Sequence, residues 1–175
     1  MKRMAGLAVL AILAGCGGAE QQNKAAAVEI GSIAPGQYEV TREVTAFRAM
    51  DRAPTPQINT PAGTRSTESI CVAAGNEPNG ELFAGSGSRC TYENHYLRRG
   101  RLNSSLVCRR DGLNGELRMT AYGTVAAEGF DVHVDTTTYL SGDGDAAFTT
   151  RTVGRRTGDC QPAAQPGNGS AAAKQ

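Results

Sequence analysis

The chain reads as all-β, an antiparallel meander forming a small curled sheet or partly open barrel. Three observations carry this reading. Apolar and polar residues alternate with period two over seven stretches. Gly-containing turn sequences separate most of these stretches. Gly, Thr and Ser are abundant, and charged residues stand singly instead of in blocks. Helical periodicity is weak throughout.

The first stretch sets Tyr38, Val40, Val44 and Ala46 against Glu39, Thr41, Glu43 and Thr45, with Arg42 interrupting the apolar face. Residues 49–63, with Pro54, Pro56 and Pro61, form a long surface loop. Thr64 to Val72 is the second strand and carries Cys71. Ala73 to Phe83 leaves room for a short helical turn. In the third strand Cys90, Tyr92, Asn94 and Tyr96 share a face; in the fourth, Leu102, Ser104, Leu106 and Cys108 do. Asp111-Gly112 and Asn114-Gly115 are strong turn formers before the fifth, where Leu117, Met119, Ala121 and Val125 oppose Glu116, Arg118, Thr120 and Thr124. Glu128-Gly129 turns into the sixth, with Phe130, Val132 and Val134 opposite Asp131, His133 and Asp135. Residues 141–145 turn into the last, Ala147 to about Arg155. The five strands from Ser88 onward form the meander, with one apolar and one polar face.

The N-terminus addresses the chain to an envelope. Lys2 and Arg3 precede the apolar run Met4 to Leu13, which is shorter than the ~20 residues of a membrane-spanning helix. Leu13-Ala14-Gly15-Cys16 matches the bacterial lipobox, in which the cysteine is acylated and becomes the mature N-terminus. Residues 1–15 are therefore expected to be a lipoprotein signal peptide, and Cys16 the lipidation site. Residues 16–34 are expected to be the lipidated cysteine and a flexible tether. The disulfide-bonded β domain spans 35–160, and 161–175 form a disordered tail. Gly17 follows Cys16 where Asp signals inner-membrane retention, so the expected location is the periplasmic face of the outer membrane.

Loss of Lys2 and Arg3 with the leader turns a formal net charge of +1 into −1. Such a balance offers no electrostatic case for nucleic acid or an anionic membrane surface. Besides Cys16 there are four cysteines, Cys71, Cys90, Cys108 and Cys160, an even number suited to a disulfide framework in an exported domain. No Cys-x-x-Cys pair is present, which argues against a zinc knuckle or a redox centre. Four cysteines allow three connectivities. Strand geometry prefers one of them. Cys90 and Cys108 each lie nine residues from a turn centred near Arg99, so they face each other across a hairpin, leaving Cys71 for Cys160.

Candidate chemistry is sparse. Asp131, His133 and Asp135 share one side of a strand and could hold a divalent ion, yet same-face neighbours stand ~6.5–7 Å apart, and an amphipathic strand explains them. Asp143-Gly144-Asp145 lacks the remaining ligands of a calcium loop and reads as a turn. Gly85-Ser86-Gly87-Ser88 lacks the lysine of a phosphate loop. Neither His95 nor His133 sits in a recognisable catalytic motif, and there is no Gly-x-Ser-x-Gly. Arg98, Arg99, Arg101, Arg109 and Arg110 form a basic cluster that reads as a solvated hairpin or as a face for an acidic partner or lipid headgroup.

The opening Pro35-Gly36-Gln37-Tyr38-Glu39-Val40, then Glu68-Ser69-Ile70-Cys71-Val72, Cys90, Cys108, Gly123-Thr124-Val125 and the closing Arg155-Arg156-Thr157-Gly158-Asp159-Cys160 carry a family likeness. In order and ending the chain resembles the Gram-negative envelope family catalogued as domain of unknown function three-six-one-seven, across Pro35 to Cys160. Tyr38 stands where many members have Trp. The resemblance implies a small exported protein, often a lipoprotein, and no established activity. The expected function is non-enzymatic binding, by a lipid-anchored periplasmic β domain, of a protein partner or a small apolar ligand, with no cofactor. A lysozyme-inhibitor-like lipoprotein and an enzyme are the alternatives.

Overall fold

Strands with one apolar face gain most by sharing a single buried surface, and here they do so in one sheet. The computed structural model describes residues 32–74 and 78–160. The expected leader, Cys16 and the tail 161–175 lie outside the described residues, as does the tether up to Gly31. The strands are β1 (Gly36–Ala49), β2 (Arg65–Val72), β3 (Ser88–Arg98), β4 (Arg101–Arg110), β5 (Gly115–Ala126), β6 (Gly129–Leu140) and β7 (Ala146–Gly158). One short helix, α1 (Glu81–Ala84), precedes β3. The order is β2-β1-β7-β6-β5-β4-β3, every neighbouring pair is antiparallel, and the sheet is not closed.

The meander from Ser88 is present as read. Alternation could not show that β7 returns beside β1, so that the last strand lies next to the first. The β3–β4 hairpin turns on Arg99 and Gly100, at φ +50° and +73°, the two positive values that a tight two-residue hairpin needs. Leu102, Ser104, Leu106 and Cys108 are buried on β4, Leu117, Met119, Ala121 and Val125 on β5, and Phe130, Val132 and Val134 on β6.

Two strands depart from simple alternation. Arg42 does not interrupt the inner face of β1: it continues that face, buried beside Val40 and Val44. An irregularity between Val44 and Ala46 then turns Ala46 outward. On β3 a bulge between Tyr92 and Asn94 reverses the phase. Cys90 and Tyr92 are half-buried, His95 and Leu97 take over the inner side, and Asn94 and Tyr96 are exposed.

The inner face is filled from within the chain. Leu82 and Phe83 of α1 are buried among the strand side chains. Phe83 meets Phe130 edge-on at 6.2 Å, and Phe130 lies 6.2 Å from Tyr38. The proline loop crosses one end of the sheet: Met50 N donates to Asp145 O at 2.8 Å, Gln57 Nε2 donates to Gly112 O at 3.2 Å, and Ile58 packs on the core. At the other end Ala34 N donates to Ala127 O at 3.1 Å, and the Tyr38 hydroxyl lies 2.8 Å from both Ala34 O and Ala127 O. Ile33 and Ala34, placed by sequence in the tether, thus pack with the domain.

The cysteines join as the hairpin geometry requires. Cys90 pairs directly with Cys108 across β3 and β4, and Cys71 on β2 joins Cys160 just beyond β7, with Cα separations of 4.0 and 5.4 Å. The second bridge spans past β1 and fixes the end of the domain to its edge strand.

Candidate functional site

The sequence points first to histidines, carboxylates and arginines, and tertiary structure sorts them. Asp131, His133 and Asp135 lie on the outer face of β6. Asp131 accepts from Arg151 Nε and Nη2 at 3.0 and 2.6 Å, Asp135 accepts from the Thr149 hydroxyl at 2.7 Å, and His133 stacks on Tyr122 at 5.7 Å. The Arg151 hydrogen bonds hold the Asp131 carboxyl below its usual range. Among the described residues no group of three His, Cys, Asp or Glu could hold a metal ion.

Asp145 organises a turn: its Oδ1 accepts from Leu140 N at 2.8 Å and from the Thr138 hydroxyl at 2.9 Å. The Gly85–Ser88 loop follows α1, and Ser86 donates through its amide and hydroxyl to Glu68. His95 Nδ1 lies 2.8 Å from Ser104 Oγ, a pairing of base and hydroxyl invisible in sequence without the register. Ser104 is fully buried, and the pair ties β3 to β4 where the two residues face each other.

Sequence reasoning also missed a buried cluster around α1. Arg42 pairs with Glu68, and its Nη2 donates to the carbonyls of Glu81 and Leu82 at 2.8 and 2.9 Å. From the other side Arg110 donates to Ala84 O and to Ser88 Oγ. A four-residue helix leaves its last carbonyls without intrahelical partners, and the two arginines supply donors to those of Leu82 and Ala84. Burial, then the nearby Arg110 charge, pushes the Arg42 guanidinium down to about 10. The available signal was the alternation itself, which places Arg42 on the inner face.

The arginines that are adjacent in sequence part in space. Arg98, Arg99 and Arg101 sit at the β3–β4 turn, whereas Arg109 and Arg110 lie at the far end of β4. There Arg89, Arg109, Arg110, Leu113, Asn114, Gly115, Glu116, Arg118 and Tyr139 line a cleft of about 680 Å³. Arg89 and Arg109 are direct cross-strand partners. Arg89 is paired with Asp111 at 2.7 Å. Arg118 is held by Glu116 at 3.0 Å and lies over the Tyr139 ring, 5.6 Å from its centre. The Glu116 hydrogen bond and charge favour the charged Arg118 guanidinium, while burial disfavours that of Arg110.

An open, all-antiparallel sheet whose inner face is plugged by its own short helix, and whose two disulfides bind hairpin and terminus, defines a small disulfide-bonded all-β domain. Residues 33–160 match the family described as protein of unknown function DUF3617, and the chain belongs to that family. No curated protein and no solved structure matches the chain.

Proposed function

We propose that this chain is a lipid-anchored protein of the Gram-negative envelope, attached through Cys16 to the periplasmic face of the outer membrane. It acts without catalysis by binding a partner at the surface of its β domain. One observation carries the binding mode: Leu82 and Phe83 occupy the inner face of the sheet, and Arg42 and Arg110 tie down the helix that bears them. A small apolar ligand would have to displace this plug, so the outer surface is the better place for recognition. The lipobox supports the anchor, and two disulfides suit an oxidising compartment.

Cells producing the wild type and Cys16→Ala are fractionated, and a photo-crosslinker is placed at Tyr139 beside the cleft or at Thr67 on β2. The wild type is expected in the outer membrane, the variant in the soluble periplasm, and a discrete adduct only from position 139. A soluble wild type defeats the anchor. The absence of an adduct from position 139 defeats binding at the cleft.

A further inference from the structure

Directly opposed like charges on neighbouring strands repel, and a sheet that keeps them gains from a counter-ion between them. Arg89 and Arg109 are such a pair, on the outer sides of β3 and β4. Asp111 offsets Arg89, but both side chains of that ion pair are about 70 % exposed, and water weakens it. Among the described residues no carboxylate pairs with Arg109. Arg118 stands on the adjacent β5, oriented by Glu116 below and Tyr139 beside it. Arg110 lines the cleft too, but its guanidinium is turned toward α1, where it donates to Ala84 O and Ser88 Oγ. Of the three guanidinium groups on the outer side, Arg89 is answered by Asp111 and Arg118 by Glu116 with Glu93 nearby, so among the described residues it is the Arg109 charge that stands unanswered.

We infer that this cleft binds a phosphomonoester, with Arg109 and Arg89 gripping the phosphate and Arg118 flanking it. The chemistry fits: a phosphomonoester carries about −1.5 to −2 near neutral pH, so one phosphate can answer Arg109 and Arg89 together, and its oxygens suit the planar fork of arginine. Arg89, Arg109 and Arg118 are exposed, so they can meet a group presented on a surface or one free in solution. This assignment rests on the surface-binding reading above and names the chemistry of what is bound; it does not depend on the anchor.

The test uses the full mature chain carrying Cys16→Ala, so that no acyl chain contributes to vesicle binding. Its probes are inorganic phosphate, phosphatidylcholine vesicles containing phosphatidic acid, and matched vesicles containing phosphatidylglycerol, whose phosphate is a diester. Phosphatidic acid vesicles are expected to bind, more tightly than phosphatidylglycerol vesicles. Arg89→Gln with Arg109→Gln should weaken this about tenfold or more, and Arg101→Gln, at the distant hairpin turn, should leave it unchanged. Binding of inorganic phosphate without vesicle binding, lost in the same double variant, also supports the site and assigns it to a soluble phosphate. Equal binding of both anionic vesicles, binding indifferent to the double variant, or no binding by any probe overturns the proposal. A crosslinked adduct at position 139 that persists in that last case leaves surface binding standing and removes only the phosphate.

Discussion

Phe130 on β6 and Gly154 on β7 are direct cross-strand partners, and the Phe130 ring occupies the space a side chain at Gly154 would need. The ring thereby lies flat enough to touch both Tyr38 and Phe83, which links β1, β6, β7 and α1 in one aromatic contact. Gly154→Ala is expected to cost about 1–3 kcal/mol, because a methyl group must displace the ring from a packed core. Phe130→Leu in the same chain should cost less than the sum of the two single changes, since it clears the clash. Chemical denaturation of the two single variants and the double variant measures this coupling.

Arg42 has a second kind of dependence. Its charge is buried and answered by Glu68 and by two α1 carbonyls. Arg42→Met removes one partner of this pair and is expected to cost about 3 kcal/mol. Arg42→Met with Glu68→Gln should recover part of that loss, because no carboxylate is then left without its cation. Urea denaturation of both variants decides it, and equal stability of the single and double variants would contradict the pairing.

The disulfides close loops of different length. With sequence separations of 18 and 89 residues, the chain-entropy model assigns about 3 kcal/mol to Cys90–Cys108 and up to about 4.6 kcal/mol to Cys71–Cys160. Replacing both Cys71 and Cys160 by Ala is therefore expected to lower the unfolding free energy more than loop closure at the hairpin would suggest. Non-reducing peptide mapping should yield peptides joined Cys71 to Cys160 and Cys90 to Cys108, with no free thiol among the four.

Asp131 should report its partner through pH. The Arg151 hydrogen bonds depress its carboxyl, so its contribution to stability is present above the unfolded-state value and is lost as pH falls through the lower folded-state value. Arg151→Gln is expected to raise the Asp131 titration midpoint toward the ordinary range. Carboxyl carbon NMR follows this residue directly; an unchanged midpoint would show that the ion pair does not persist in solution.

Much of the architecture was legible in the residues. Alternation located all seven strands, and Cys90 and Cys108 face each other because a hairpin about Arg99 must put equidistant residues together. The face assignments failed where a bulge shifted the phase, after Tyr92 and after Val44, since one extra residue flips every later side chain. The candidate site was only half legible. Arg109 and Arg110 stood out, but grouped with Arg98, Arg99 and Arg101, from which a strand rising ~3.4 Å per residue separates them by roughly 27 Å or more. Their true neighbours, Arg89, Arg118 and Tyr139, lie on other strands.

The sequence by itself determined the local facts: period-two strands, glycine-rich turns, an even set of cysteines and the buried faces of β4, β5 and β6. These follow from adjacent residues, because a strand assigns its sides by alternation alone. Only the tertiary structure decided that β7 returns beside β1, that α1 enters the inner face under Arg42 and Arg110, and that four arginines from β3, β4 and β5 share a cleft. Those relations join residues far apart in the chain, and it is the register and curl of the whole sheet that bring them together.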